Sequence, residues 1–152
     1  MPEDRIDISL QREALDTAAA VGRVTCPEAG GIALFLGITR AQSGPAKGGA
    51  AGEEVGRLVA LDYEAYEEMA QAQMRKMAAD AGARWPVCRV VIWHRIGEVK
   101  VGEPSVIVAV SCPHRGEAFE ACEFLIDELK KMAPIWKREM YERGARWQGS
   151  GQ

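Results

Sequence analysis

The chain has 152 residues, 47% apolar, 27% charged and 7% aromatic, with a net charge of −3. This composition excludes a disordered chain and supplies enough apolar surface for a core that hides roughly 68 to 70% of the unfolded surface without metal or disulfide staples. One domain over residues 1–152 is expected. The acidic balance argues against nucleic-acid binding as the main activity. Residues 130–146, however, hold six basic and two acidic side chains, so this stretch carries +4 and the remainder −7, and an anion site is expected toward the C-terminal end. The first residues lack the basic start and apolar run of a secretory leader, and no apolar stretch approaches 18 residues, which reads as a soluble, cytoplasmic protein with no membrane partner.

In chain order, a short helix is expected over residues 12–21. Gly30 and Gly31 then open the apolar strand IALFLGIT, which ends at Arg40. Residues 41–56 are rich in glycine and read as a long mobile loop. It is not a phosphate-binding loop, because no Gly-Lys-Ser/Thr pattern leads into a helix. RLVALDYEAY alternates as a strand, and EEMAQAQMRKMAADAGARW carries Met69, Ala72, Gln73, Met77 and Ala78 near helical spacing, with Gly82 as its stop. VCRVVIWHRIG and SVIVAVSC read as β-branched strands joined by the turn-prone EVKVGEP. Helix resumes after His114 over residues 116–133. Pro134 ends it and returns PIWKRE as an extended segment. The outcome is an α+β chain.

Four cysteines form no CxxC pair and there are two histidines, so a structural zinc site has little support. Cys26, Cys88, Cys112 and Cys122 read as small buried thiols. The sharper alternative makes Cys112, two residues from His114, a nucleophile. His94 reads as a hydrogen-bonding structural residue, and Tyr63, Glu64 and Tyr66 as packing and hydrogen-bonding at the strand-to-helix junction.

On the helix after His114, at about 100° per residue from Ile126, Phe119 lies near 20°, Cys122 near −40°, Leu129 near −60°, Lys130 near 40° and Lys131 near 140°. Lys131 is therefore expected in water and Lys130 on the rim of the buried stripe, where desolvation lowers an amine's pKa. Pro134 allows Lys137 to approach the same pocket. His114 and Arg115 sit at the helix start, where unpaired backbone donors favour an anion, and Arg40 sits at a strand end. Together these cations are suited to a phosphate or carboxylate.

The segments GIALFLGITR, LDYEAYEEMA, HRIGEVKVGE, the helix from PHRGEAFEAC to LKKMAP, and PIWKRE, in this order, resemble the large, catalytic subunit of molybdopterin synthase. The resemblance implies an α/β hammerhead-type fold with an additional antiparallel β subdomain. It also implies a homodimer within a heterotetramer, with a small ubiquitin-like sulfur-carrier subunit bound at each end. The carrier would insert its C-terminal Gly-Gly thiocarboxylate into a pocket and pass sulfur to cyclic pyranopterin monophosphate, and on the residues themselves no intrinsic metal or organic cofactor is expected, because two His and four Cys offer no ligand cluster. Carried over, Lys130 and Lys137 are the catalytic residues. Ile38, Thr39, Arg40, His114, Arg115, Arg138 and Glu139 bind substrate, although Ile38 stands where some members have a basic side chain. Two other classes remain on the residues alone: a Lys-dependent Schiff-base lyase and a noncatalytic adaptor for a small acidic protein.

Overall fold

The computed structural model describes residues 1–41, 46–48, 53–132 and 134–148, with only the backbone described at 46–48, 53–55 and 146–148. The strands are β1 (Ile6–Gln11), β2 (Gly31–Ile38), β3 (Ala46–Gly48), β4 (Glu53–Gly56), β5 (Leu58–Ala65), β6 (Arg89–Arg95), β7 (Gly97–Lys100), β8 (Pro104–Cys112), β9 (Ile135–Tyr141) and β10 (Gly144–Gln148), and the helices are α1 (Thr17–Val24), α2 (Glu67–Arg84) and α3 (Arg115–Lys130). The expected α+β class is present.

The first sheet runs β1-β6-β8-β2, with β1 parallel to β6 and the other pairs antiparallel. Its central strands, β6 and β8, read as almost continuous apolar runs because both faces are covered. Val90, Ile92, Val108 and Val110 pack with α2 and α3 through Met74, Ala78, Ala121 and Leu125. On the other face, Val91, Trp93, Ile107 and Ala109 meet Ala20 and Val24 of α1. The second sheet runs β10-β9-β5-β7, and β3 pairs with β4 in a small hairpin.

Between β6 and β8 the chain crosses directly to the second sheet and back. After β6 it turns at Gly97 (φ +85°) into β7 of the second sheet, and Gly102 (φ +89°) lies in the return to β8. Both glycines adopt the left-handed conformation that a side chain disfavours.

Several boundaries differ from the sequence expectation for identifiable reasons. The first helix begins later, at Thr17, because the Asp16 carboxylate accepts from the Ala19 amide at 3.1 Å and caps it. Gly82 does not stop α2. A β-carbon there would press on the Met1 side chain, so this glycine makes room for the N-terminus. The helix ends at Arg84, because Pro86 forces Trp85 into extended backbone (φ −131°, ψ 156°). The turn-prone EVKVGEP begins inside strand β7 and supplies its last three residues. Within the stretch expected as a mobile loop, β3 and β4 are formed, while residues 42–45 and 49–52 lie outside the described residues. Strands β1 and β10 had no counterpart in the sequence reading. Among the described residues, no helix is long and apolar enough to cross a membrane.

Candidate active site

A cavity of about 490 Å³ opens where the second sheet meets the edge of the first, beneath the C-terminal turn of α3. Of the nine residues expected to act, six line it: Ile38, Thr39, Arg40, Lys130, Lys137 and Glu139. Phe35, Leu61, Ile126 and Leu129 supply much of its apolar wall.

Alternation along β9 decides which of its residues reach the cavity. Ile135, Lys137, Glu139 and Tyr141 share one face, and Trp136, Arg138 and Met140 the other. Lys137 is half-buried, and burial pushes its amine below the ordinary lysine range, with Glu139 opposing the shift. The Glu139 side chain is itself buried and accepts a hydrogen bond from the Tyr141 hydroxyl at 3.0 Å. Arg138 points the other way and meets Asp62, its cross-strand partner, at 3.1 Å. It does not line the cavity.

The expectations for α3 need two corrections. Its buried residues are Ala118, Ala121, Cys122 and Leu125, which centres the inward stripe near −90° on the scale above. Phe119, expected inward, is 64% exposed. Lys130 and Lys131 consequently both lie about 130° from the stripe's centre, and both are exposed. What separates them is the flank. Lys130 sits beside Ile126 and Leu129 at the cavity, whereas Lys131 lies toward α2 and pairs with Glu128 at 3.5 Å. The amine that burial lowers is that of Lys137.

His114 and Arg115 do not join Lys130 within this chain. His114 caps the N-terminus of α3 and Lys130 ends the helix, so 16 residues at 1.5 Å each put them about 24 Å apart. The start of β2 packs closely against their turn: a β-carbon at Gly30 would collide with the Pro113 carbonyl, and one at Gly31 would press on Arg115.

His94 is hydrogen-bonded as expected, but the sequence reading did not place it on the cavity floor. His94, 2% exposed, stands edge-on to Tyr63 with ring centroids 4.8 Å apart, and both line the cavity with Ser105. The Tyr63 hydroxyl hydrogen-bonds the Ser105 side chain, and burial raises its pKa. The available signal was a histidine closing an apolar strand three residues before a turn glycine. Cys112 is fully buried at the end of β8, and burial pushes its thiol up to about 11, which disfavours the thiolate a nucleophile requires. Cys88 and Cys122 are also buried, while Cys26 is only partly so.

A family model described as MoaE protein matches residues 10–132. The chain belongs to this family. It is 39% identical over 147 residues to a Pyrococcus abyssi protein named molybdopterin synthase catalytic subunit, covering 97% of this chain and 93% of that one. Among solved structures, molybdopterin synthase from Staphylococcus aureus superposes with a TM-score of 0.79 at 31% identity and covers 98% of each chain. A Helicobacter pylori structure, a protein-protein complex of subunits 1 and 2 of molybdopterin-converting factor, superposes with a TM-score of 0.71 and covers 93% of this chain and 88% of that one. At 23% identity, it speaks for the fold alone. Membership in this family makes the chain an enzyme subunit of molybdenum-cofactor biosynthesis and the cavity its candidate active site.

Proposed function

We propose that the chain is a sulfurtransferase. It takes sulfur from the C-terminal Gly-Gly thiocarboxylate of a small ubiquitin-like carrier subunit and delivers it to cyclic pyranopterin monophosphate, two transfers forming the molybdopterin dithiolene. The observation that carries this reading is the convergence of Arg40, Lys130 and Lys137 on one cavity with a largely apolar wall. An extended Gly-Gly tail has no side chains to exclude, and a partly apolar enclosure strengthens every charge interaction made inside it.

The residues divide the work by chemistry. Arg40 offers a planar two-pronged donor for a phosphate or thiocarboxylate, and Lys130 a mobile point charge at the mouth. Lys137, its amine pushed below the ordinary range, is suited to taking and returning a proton. Ile38 is 54% exposed and flanks the entrance. The buried Thr39 hydroxyl lines the cavity and has no hydrogen-bond partner among the described residues, so a bound substrate group would satisfy it. Glu139 offsets the local positive charge. Arg138 faces the opposite side of the second sheet and would act there, on the docked carrier.

His114 and Arg115 reach such a cavity only from a second copy of the chain, which is consistent with the homodimer that the resemblance implies. The positive C-terminal stretch suits an acidic carrier, and the setting is cytoplasmic. A purified two-component assay tests the whole reading. Preloaded thiocarboxylated carrier and the pyranopterin should yield dithiolene only when this chain is present, and an adaptor without catalytic power would bind carrier and give no product. Borohydride trapping of a lysine–substrate adduct would instead favour a Schiff-base lyase.

A further inference from the structure

We propose that His94 is a positioning residue for Lys137, its Nε2 presenting a hydrogen-bond acceptor that holds the amine over the cavity floor. This role rests on Lys137 being a reacting group of the sulfur transfer.

Three observations meet at this point. First, His94 Nδ1 lies 2.6 Å from the Arg95 carbonyl oxygen. A carbonyl only accepts, so Nδ1 carries the proton, and Nε2 of the neutral ring is an acceptor directed away from that carbonyl. Second, the ring stands edge-on to Tyr63, and Tyr63 is the cross-strand partner of Lys137. The two β-strand residues therefore present their side chains on one face, and all three line the same cavity. Third, His94 and Lys137 are electrostatic neighbours: the Lys137 charge adds to the burial that holds the imidazole near a pKa of about 4. The ring thus stays neutral over the whole working range and offers its lone pair without adding a second positive charge beside the amine.

Among the described residues, the charged and titratable groups that line the cavity with this pair are Glu139 and Tyr63 from the second sheet, Lys130 from α3 and Arg40 beyond the end of β2. Arg95, next in the strand, turns its guanidinium away to the carbonyls of Arg12 and Glu98 at 2.7 and 3.3 Å. Tyr63 has its own partner in Ser105.

Two amide substitutions separate the ring's two nitrogens. His94→Asn places an amide nitrogen where Nδ1 stands and keeps the tie to the Arg95 carbonyl, but has nothing at the Nε2 position. His94→Gln reaches the Nε2 position and sacrifices the tie. The first readout is the pH dependence of Lys137 acylation by acetic anhydride in the full chain, followed by peptide mass spectrometry. The second is single-turnover dithiolene formation with preloaded carrier. A melting curve of each variant accompanies both.

In His94→Asn the acylation midpoint of Lys137 should fall by about one pH unit, because an acceptor that favoured the ammonium is gone. Single-turnover rate should fall roughly tenfold or more. In His94→Gln both should stay near wild type. The reverse ranking, Asn near wild type and Gln impaired, would show that His94 serves only the backbone tie. Unchanged Lys137 midpoints in both variants would equally overturn the positioning role. Failure of the wild-type chain to form dithiolene would instead sink the sulfur-transfer reading, and the acylation midpoints report independently of it.

Discussion

Tyr63 and Lys137 sit directly opposite one another in the β5–β9 ladder, so the amine of Lys137 rises from the sheet beside an aromatic ring that is itself 2% exposed. Burial beside that ring drives the amine's pKa downward. If the free amine acts, activity should increase as pH rises through a midpoint below the ordinary lysine value of about 10.4. Lys137→Arg keeps the charge but cannot release a proton near neutrality. Its single-turnover rate should drop at least about 100-fold. Full activity in that variant would assign Lys137 to anion binding alone.

Lys130 and Lys131 provide an internal control, since they are adjacent, both exposed and equally distant from the helix's buried stripe. Only Lys130 lines the cavity. Lys130→Ala should nearly abolish dithiolene formation with an unchanged melting temperature. Lys131→Ala removes a weak surface pair with Glu128 and should retain most activity. Equal losses would mean that the summed charge of the C-terminal stretch governs the reaction.

If His114 and Arg115 complete a cavity on a second protomer, two inactive variants should rescue one another. Lys130→Ala and Arg115→Ala, mixed after separate purification and allowed to exchange subunits, should regain about a quarter of wild-type activity. Half of the dimers are then hybrids, and each hybrid has one intact site of two. Activity no higher than either variant alone would confine Arg115 to a structural or carrier-contacting role.

His94 also makes the fold sensitive to acid. Its pKa is lowered from 6.5 to about 4 by burial, so between those values the unfolded chain binds a proton that the folded chain does not. Stability is therefore complete above pH 6.5 and lost as pH falls toward 4, by about 3 kcal/mol in all. His94→Gln should flatten the dependence of denaturant midpoint on pH between 6.5 and 5, above the range where most carboxylates titrate. An unchanged slope would place the responsible proton elsewhere.

Elements whose cause is local were legible in the sequence. The extended PIWKRE and the apolar strands β6 and β8 follow from backbone restriction and side-chain pattern, whereas α3 ends at Lys130 and not at the expected residue 133. Six of the nine expected site residues converge because they lie at the end of β2, at the end of α3 or on one face of β9. Long-range packing was not legible. Gly82 resembles a helix stop but accommodates Met1, and Phe119 fits the expected periodic stripe yet is 64% exposed. The separation of His114 from Lys130 follows from helix length once both are placed on α3. The polar role of His94 needs Tyr63 and Lys137 from a different sheet, a relationship that no spacing along the chain encodes.

The excursion through β7 gives the site a mechanical character. Lys137 stands on the second sheet, Lys130 on a helix packed over the first, and left-handed glycines at 97 and 102 bracket the strand that links the two sheets between β6 and β8. The gap between the two amines is therefore set by how the two sheets pack against each other in their shared core. A change in that packing would alter the gap while each ladder kept its register, much as a jaw keeps its teeth while its opening varies. A side chain at Gly97, strained by a φ of +85° and crowding the Arg12 guanidinium, would act on the bite of the enzyme and leave its reactive groups untouched.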